Sequence, residues 1–241
     1  MKLGVFTALY GNLSFDEALA KLKALGVEAI EIPAGGYPGK AHCDPEVLLA
    51  DRDAFAKFVA TIEKYGMEVS ALSVHGNPVH PDKAVAKAFD DDFRRCVLLA
   101  EKLGIDTVIT FSGCPGDSEN SKYPNWVTCP WPDDYLKILD WQWNEVLIPY
   151  WKEAVAFANA HGVNKIALEM HPGFCVYNPE TLLKLRAAVG STIGANLDPS
   201  HLIWQGIDPV LAIRKLGDAI YHFHARSEER RVGKECRSRW S

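Results

Sequence analysis

Positive charge in excess is missing from this chain of 241 residues: 26 Lys and Arg stand against 31 Asp and Glu, for a formal charge of -5 at pH 7. Without a basic surplus there is no general attraction to phosphate backbones, so a nucleic-acid partner is disfavoured and a small-molecule substrate fits better. Also absent are any run of eighteen apolar residues and any opening with a basic leader and an apolar core. The expectation is therefore a protein with no membrane association and no export. The six cysteines (Cys43, Cys96, Cys114, Cys129, Cys175, Cys236) form no Cys-x-x-Cys pair and no zinc-ribbon spacing, which predicts reduced thiols and a cytoplasmic location. The glycine cluster Gly35-Gly36-Tyr37-Pro38-Gly39 lacks the spacing of loops that cradle nucleotide phosphates, and reads as a turn.

What the chain does have is a repeat. An amphipathic stretch, a glycine and a short β-branched apolar run recur at Gly26 before residues 27–32, Gly66 before 67–74, Gly104 before 105–111 and Gly162 before 163–170. Looser copies follow Gly190 and Gly217. Glycine suits the left-handed residue that ends a helix, and the apolar run after it is what a strand buried on both faces looks like. With the opening run 3–6 this gives seven candidate strands, separated by candidate helices at 15–24, 51–64, 83–102, 143–160, 179–189 and 209–215. Strict alternation of this kind implies an α/β fold with a parallel sheet. The length and a hydrophobic content of 48% allow one large core, hence one domain.

Three side chains able to bind metal or move protons close three successive strand-like runs. Glu169 ends Lys-Ile-Ala-Leu-Glu, Asp198 ends Ile-Gly-Ala-Asn-Leu-Asp, and His224 ends Ala-Ile-Tyr-His-Phe-His. The intervals of 29 and 26 residues are each about one strand-plus-helix unit. In a parallel sheet the C-terminal strand ends share a rim, so these side chains converge, and two acids with an imidazole can hold a divalent cation. Carboxylates closing apolar strands could instead be ion-pair partners, but burying them without a compensating cation is costly. His222 competes with His224, which lies nearer the strand end. His201 could contact substrate or cap a helix. His75 and His171, also at strand ends, are candidate substrate contacts or loop histidines, and Glu31 is a candidate supporting acid. Between Ser112 and Pro132 runs a segment rich in Pro, Gly and aromatics with no helical period, placed where barrels put substrate-covering loops. Its Trp126 and Trp131 could stack on a substrate or anchor the loop.

The set Glu169, Asp198 with His201 in Asp-Pro-Ser-His, and His224 in His-Phe-His resembles the xylose isomerase-like superfamily of sugar isomerases and epimerases, from the opening strand to about Ala225. The resemblance implies a (β/α)8 TIM barrel and a divalent metal held by Glu169, Asp198, His224 and a second glutamate from an eighth strand. Glu169 would double as catalytic acid-base, exchanging a proton next to a carbonyl through an enediolate, with His201, His75, His171 and Trp126 around a small sugar substrate. A shell of carboxylates and imidazole points to Mn²⁺ first, with Mg²⁺, Co²⁺ or Zn²⁺ as alternatives. The fourth ligand has no counterpart, because the barrel-like pattern stops after the seventh strand. Residues 226–241 are charged throughout, show no apolar face and resemble a translated cloning sequence. The domain is therefore read as 1–225, lacking the eighth strand and helix, followed by a non-native tail; a basic interaction tail is the rival. Dehydration of a keto sugar or inosose, and an inactive truncated fragment, are the competing functions. The sequence leaves a homo-oligomer open.

Overall fold

The alternation of helix and strand resolves, in a computed structural model that describes residues 2–226, into one parallel sheet. Its strands are β1 (Gly4–Phe6), β2 (Ala29–Pro33), β3 (Glu68–Ser73), β4 (Thr107–Thr110), β5 (Lys165–Glu169), β6 (Ile193–Leu197) and β7 (Ile220–Phe223), paired in chain order. Among the described residues β1 pairs only with β2 and β7 only with β6. Strands β2, β4 and β6 are buried at every residue, whereas β1 and β7 contain no buried residue. The sheet curls until its ends approach each other: Phe6 of β1 stacks on His224, just after β7, and Tyr221 of β7 packs against the cluster of Ala71, Ile109 and Ala167. Gly194 makes room for this: a Cβ there would lie 2.3 Å from the Tyr221 ring.

The main covering helices are α1 (Phe15–Ala24), α3 (Arg52–Tyr65), α4 (Lys83–Leu103), α6 (Ile148–Ala160), α7 (Pro179–Val189) and α9 (Pro209–Leu216), with shorter α2 (Pro45–Ala50), α5 (Asp133–Trp141) and α8 (Pro199–Trp204). Their ends follow local chemistry. Ser14 and Glu17 form a reciprocal cap on α1, Asn178 and Thr181 do so on α7, and Asp82 caps α4. Gly66 and Gly104, at positive φ, stop α3 and α4. The helix expected at 143–160 begins earlier: α5, a six-residue π segment (Gln142–Leu147) and α6 run on from one another. Trp151 of α6, fully buried, donates its indole N–H to the Ser112 carbonyl. That bond ties the helix to the start of the irregular segment that runs on to Pro132. No helix among the described residues is long and apolar enough to cross a membrane.

Two bulges interrupt the strand pairing beside polar residues of the sheet. Ser70 is the extra residue where β3 pairs with β2 beside Glu31, and Tyr221 is the extra residue where β7 pairs with β6 beside Asn196. An inserted residue breaks the period-two alternation and re-aims its neighbours.

Candidate active site

Glu169 is the last residue of β5, Asp198 follows β6 as the cap of α8, and His224 follows β7. Parallel strands therefore deliver all three to the same end of the sheet. Glu169 is 5% exposed and has four polar neighbours. His201 Nε2 lies 2.8 Å from Oε1, while His75 Nε2, Asn196 Nδ2 and His224 Nδ1 lie 3.0, 3.1 and 3.3 Å from Oε2. Burial pushes this carboxyl upward, but the hydrogen bonds from His201, His224 and His75 outweigh it and hold Glu169 well below the usual carboxylate range. His224 shows the complementary effect. Burial would lower its pKa, yet Glu169 and Glu31 raise it to about 10. Burial lowers both His171 and His222.

Asp198 spends Oδ1 on the Ser200 N–H and hydroxyl, at 2.8 and 2.6 Å. Its Oδ2 is buried with no hydrogen-bond partner, and His201 Nε2 and Arg226 Nε stand 3.5 Å away. Glu169, Asp198 and His201 each present a donor atom within 4.8 Å of the others, and Glu31, His222 and His224 form a second such group. Contact between Glu169 and His224 joins the two. Oxygen and imidazole donors with a buried carboxylate oxygen that accepts no hydrogen bond fit a divalent cation. His201, which the resemblance makes a substrate contact or a support of the metal site, sits beside the Glu169 and Asp198 pair.

Aromatic rings surround these groups. Phe6 stacks on His224 at 6.2 Å between centroids, Phe111 meets the edge of His75 at 4.6 Å, and Phe174 stacks on Phe111 at 4.3 Å. His171 leans on His201 at 4.2 Å and places Nδ1 2.6 Å from the Pro172 carbonyl. Trp126 lies elsewhere: edge-on to Tyr177, it lines a cavity of about 230 Å³ with Gln142, Trp143, Cys175 and Lys184. None of the carboxylates or histidines around Glu169 lines that cavity. Two participants do not stand out from the sequence. Asn196 donates from Nδ2 to Glu169 and faces His224 with the same atom, its Oδ1 accepts from His222, and Ser70 bonds His222. An asparagine inside the apolar run Ile-Gly-Ala-Asn-Leu is a usable signal for the first, since a buried amide needs polar partners. Of the proposed tail, Arg226 donates to the Ser200 hydroxyl at 3.2 Å; residues 227–241 lie outside the described part.

Comparison with known proteins gives a consistent picture. The family model for the xylose isomerase-like TIM barrel matches residues 19–239. An uncharacterised protein, YfiH of Bacillus subtilis (strain 168), is 42% identical over 228 residues, covering 94% of this chain and 72% of that protein. Two solved structures share the fold. A D-tagatose 3-epimerase-like protein superposes with a TM-score of 0.66 at 22% identity, over 94% of this chain and 76% of its own. The probable 3-DHS dehydratase AsbF from Bacillus anthracis gives 0.64 at 18% identity, over 93% and 72%.

Proposed function

We propose, from the premise that the chain belongs to the xylose isomerase-like TIM-barrel family, that it is built for divalent-metal-dependent isomerisation or epimerisation of a sugar or keto sugar. The observation that carries this is the ionised, buried Glu169, held by His201, His75 and His224 beside the orphaned oxygen of Asp198. Glu169, Asp198 and His224 would hold the metal, with His201 close enough to Asp198 to steady or share it. When bound, the ion supplies Lewis acidity that offsets the negative charge of an enediolate; Mn²⁺ suits this donor set best, with Mg²⁺, Co²⁺ or Zn²⁺ as alternatives.

The chain's own groups do the rest. Glu169 removes the proton from the carbon next to the sugar carbonyl, and its lowered pKa keeps it ionised and ready to accept that proton at neutral pH. His75 and His201 donate to Glu169 oxygens, so they set its orientation as well as its charge. Phe6, Phe111 and Phe174 limit water around the reacting carbon. His171 and His75 are the substrate contacts this arrangement favours. Trp126, on a separate cavity, would reach substrate only through movement of its loop.

A second reading, dehydration of a keto sugar or inosose, begins with the same proton abstraction and gains support from the likeness to a probable dehydratase. The test is a panel of ketoses and inososes incubated with Mn²⁺ and the protein, using both this chain and one extended to the length of its relatives, with products resolved by chromatography. A new epimer or aldose supports the proposal. Loss of water from the substrate moves the assignment to a lyase, and no conversion by the extended chain contradicts both.

A further inference from the structure

Glu31 is a buried acid with no part in the proton transfer assigned to Glu169. It lies in β2, is 2% exposed, and brings Oε2 to 2.6 Å from His224 Nε2 across the curled sheet. Its other oxygen has no hydrogen-bond partner, so among the described residues His224 is the one group that the Glu31 carboxylate is hydrogen-bonded to. A carboxylate can only accept, so the proton in this pair belongs on Nε2 of the imidazole. Nδ1 is then the nitrogen facing inward, 3.3 Å from Glu169 Oε2 and 3.1 Å from Asn196 Nδ2.

We propose that Glu31 is a positioning residue that holds His224 in its Nε2–H form and turns Nδ1 towards Glu169 as the imidazole donor to the divalent ion. The inference rests on the proposed metal site and adds to it which nitrogen binds and what selects it. A ligating histidine whose second nitrogen donates to a carboxylate gains basicity and a fixed ring orientation. A bulge at Ser70 of β3 shifts the β2–β3 register beside Glu31. The same residues could be read as a second ion site, since Glu31, His222 and His224 have donor atoms within 4.8 Å. His222, however, has both nitrogens engaged at 3.1 Å, Nδ1 by the Asn196 carbonyl and Nε2 by the Ser70 hydroxyl. That leaves no free imidazole donor on His222, and the group supports His224 instead.

The test is Mn²⁺ titration followed by electron paramagnetic resonance, on the chain as it stands and on Glu31→Ala, Glu31→Gln and Asp198→Asn. Glu31→Ala should raise the dissociation constant by about 10- to 100-fold. Glu31→Gln, which keeps the volume and an accepting oxygen, should raise it several-fold, and decides the matter if the alanine variant does not fold. In a His224→Ala background, Glu31→Ala should cause no further loss, since its effect passes through that ring. Nitrogen NMR of the Zn²⁺-loaded protein should show His224 ligated through Nδ1 with Nε2 protonated, a pattern that Glu31→Ala loses. If Asp198→Asn weakens binding but the Glu31 variants bind as the parent does, the role of Glu31 is wrong and the metal site stands. If the parent binds no Mn²⁺, or Asp198→Asn binds undiminished, the metal reading fails and this inference with it. Two ions per chain, one of them lost in Glu31→Ala, would make Glu31 a ligand and overturn the positioning role.

Discussion

Opposing demands meet on Glu169. Burial favours its neutral acid, while His201, His224 and His75 hold the charged form, and the charged form prevails. Glu169→Gln preserves the shape but can neither accept a carbon-bound proton nor hold a cation as well. Turnover by a chain completed to the length of its relatives should fall at least about 100-fold, with the circular dichroism spectrum unchanged; retention of most activity would place the base elsewhere. His224 gives a pH signature in the metal-free protein. Its folded-state pKa of about 10 lies above the ordinary 6.5, so the stability it contributes is complete below 6.5 and is lost as pH rises towards 10. Glu169 is shifted the other way from its ordinary 4.5, so its contribution is present above that value and is lost as pH falls through the depressed one. Urea midpoints should therefore decline between pH 6.5 and 10 more steeply than in His224→Gln. Parallel declines in the two proteins would mean that His224 is not held protonated. Because a metal replaces that proton, binding at neutral pH should also release protons, seen as a dependence of calorimetric enthalpy on buffer.

At the scale of elements, the loop after β2 controls one of the Glu169 partners. Gly36 has φ +66°, and a Cβ there would lie 2.0 Å from the His75 carbonyl oxygen, which accepts from the Tyr37 N–H at 2.7 Å. Gly36→Ala should destabilise the fold by roughly 1–3 kcal/mol and weaken metal binding by moving His75; parental urea stability would show that the turn relaxes freely. Much of this architecture is legible in the sequence. Helices expected at 15–24 and 179–189 coincide with α1 and α7, because Ser14, Asn178 and Pro179 are strong local start signals. Helix α5 is not among the expected helices: it follows a Pro- and Trp-rich segment that reads as loop, and none of its residues is buried. Glu169, Asp198 and His224 stand out because polar residues closing apolar runs are costly without a purpose. The contacts of His222 with Ser70 and Asn196 lie at two bulges, and a strict period of two cannot reveal an inserted residue.

For the whole molecule, the sheet has two unlike ends and a middle. Central strands are buried, while β1 and β7 each have one partner among the described residues and are more open. Large apolar side chains lie exposed near both ends: Leu3 and Leu9 beside β1, and Ile203, Trp204, Val210, Leu211 and Phe223 towards β7. Their exposure supports the proposal that residues 1–225 are a barrel domain short of its eighth strand and helix. Covering several such side chains is worth about 1.5–3 kcal/mol each. A chain extended to the length of its relatives should therefore melt at least about 5 °C higher and bind Mn²⁺ more tightly. Equal melting temperatures would argue that these surfaces need no further cover. The most direct test of the proposed chemistry is isotopic. The extended, Mn²⁺-loaded protein is incubated in D₂O with ketoses that it converts, and the recovered sugar is analysed by mass spectrometry and, after removal of the metal, by NMR. Proton abstraction by Glu169 predicts one solvent deuterium on the carbon next to the carbonyl, absent in Glu169→Gln. Conversion without solvent deuterium, or with the same deuterium content in Glu169→Gln, would contradict it.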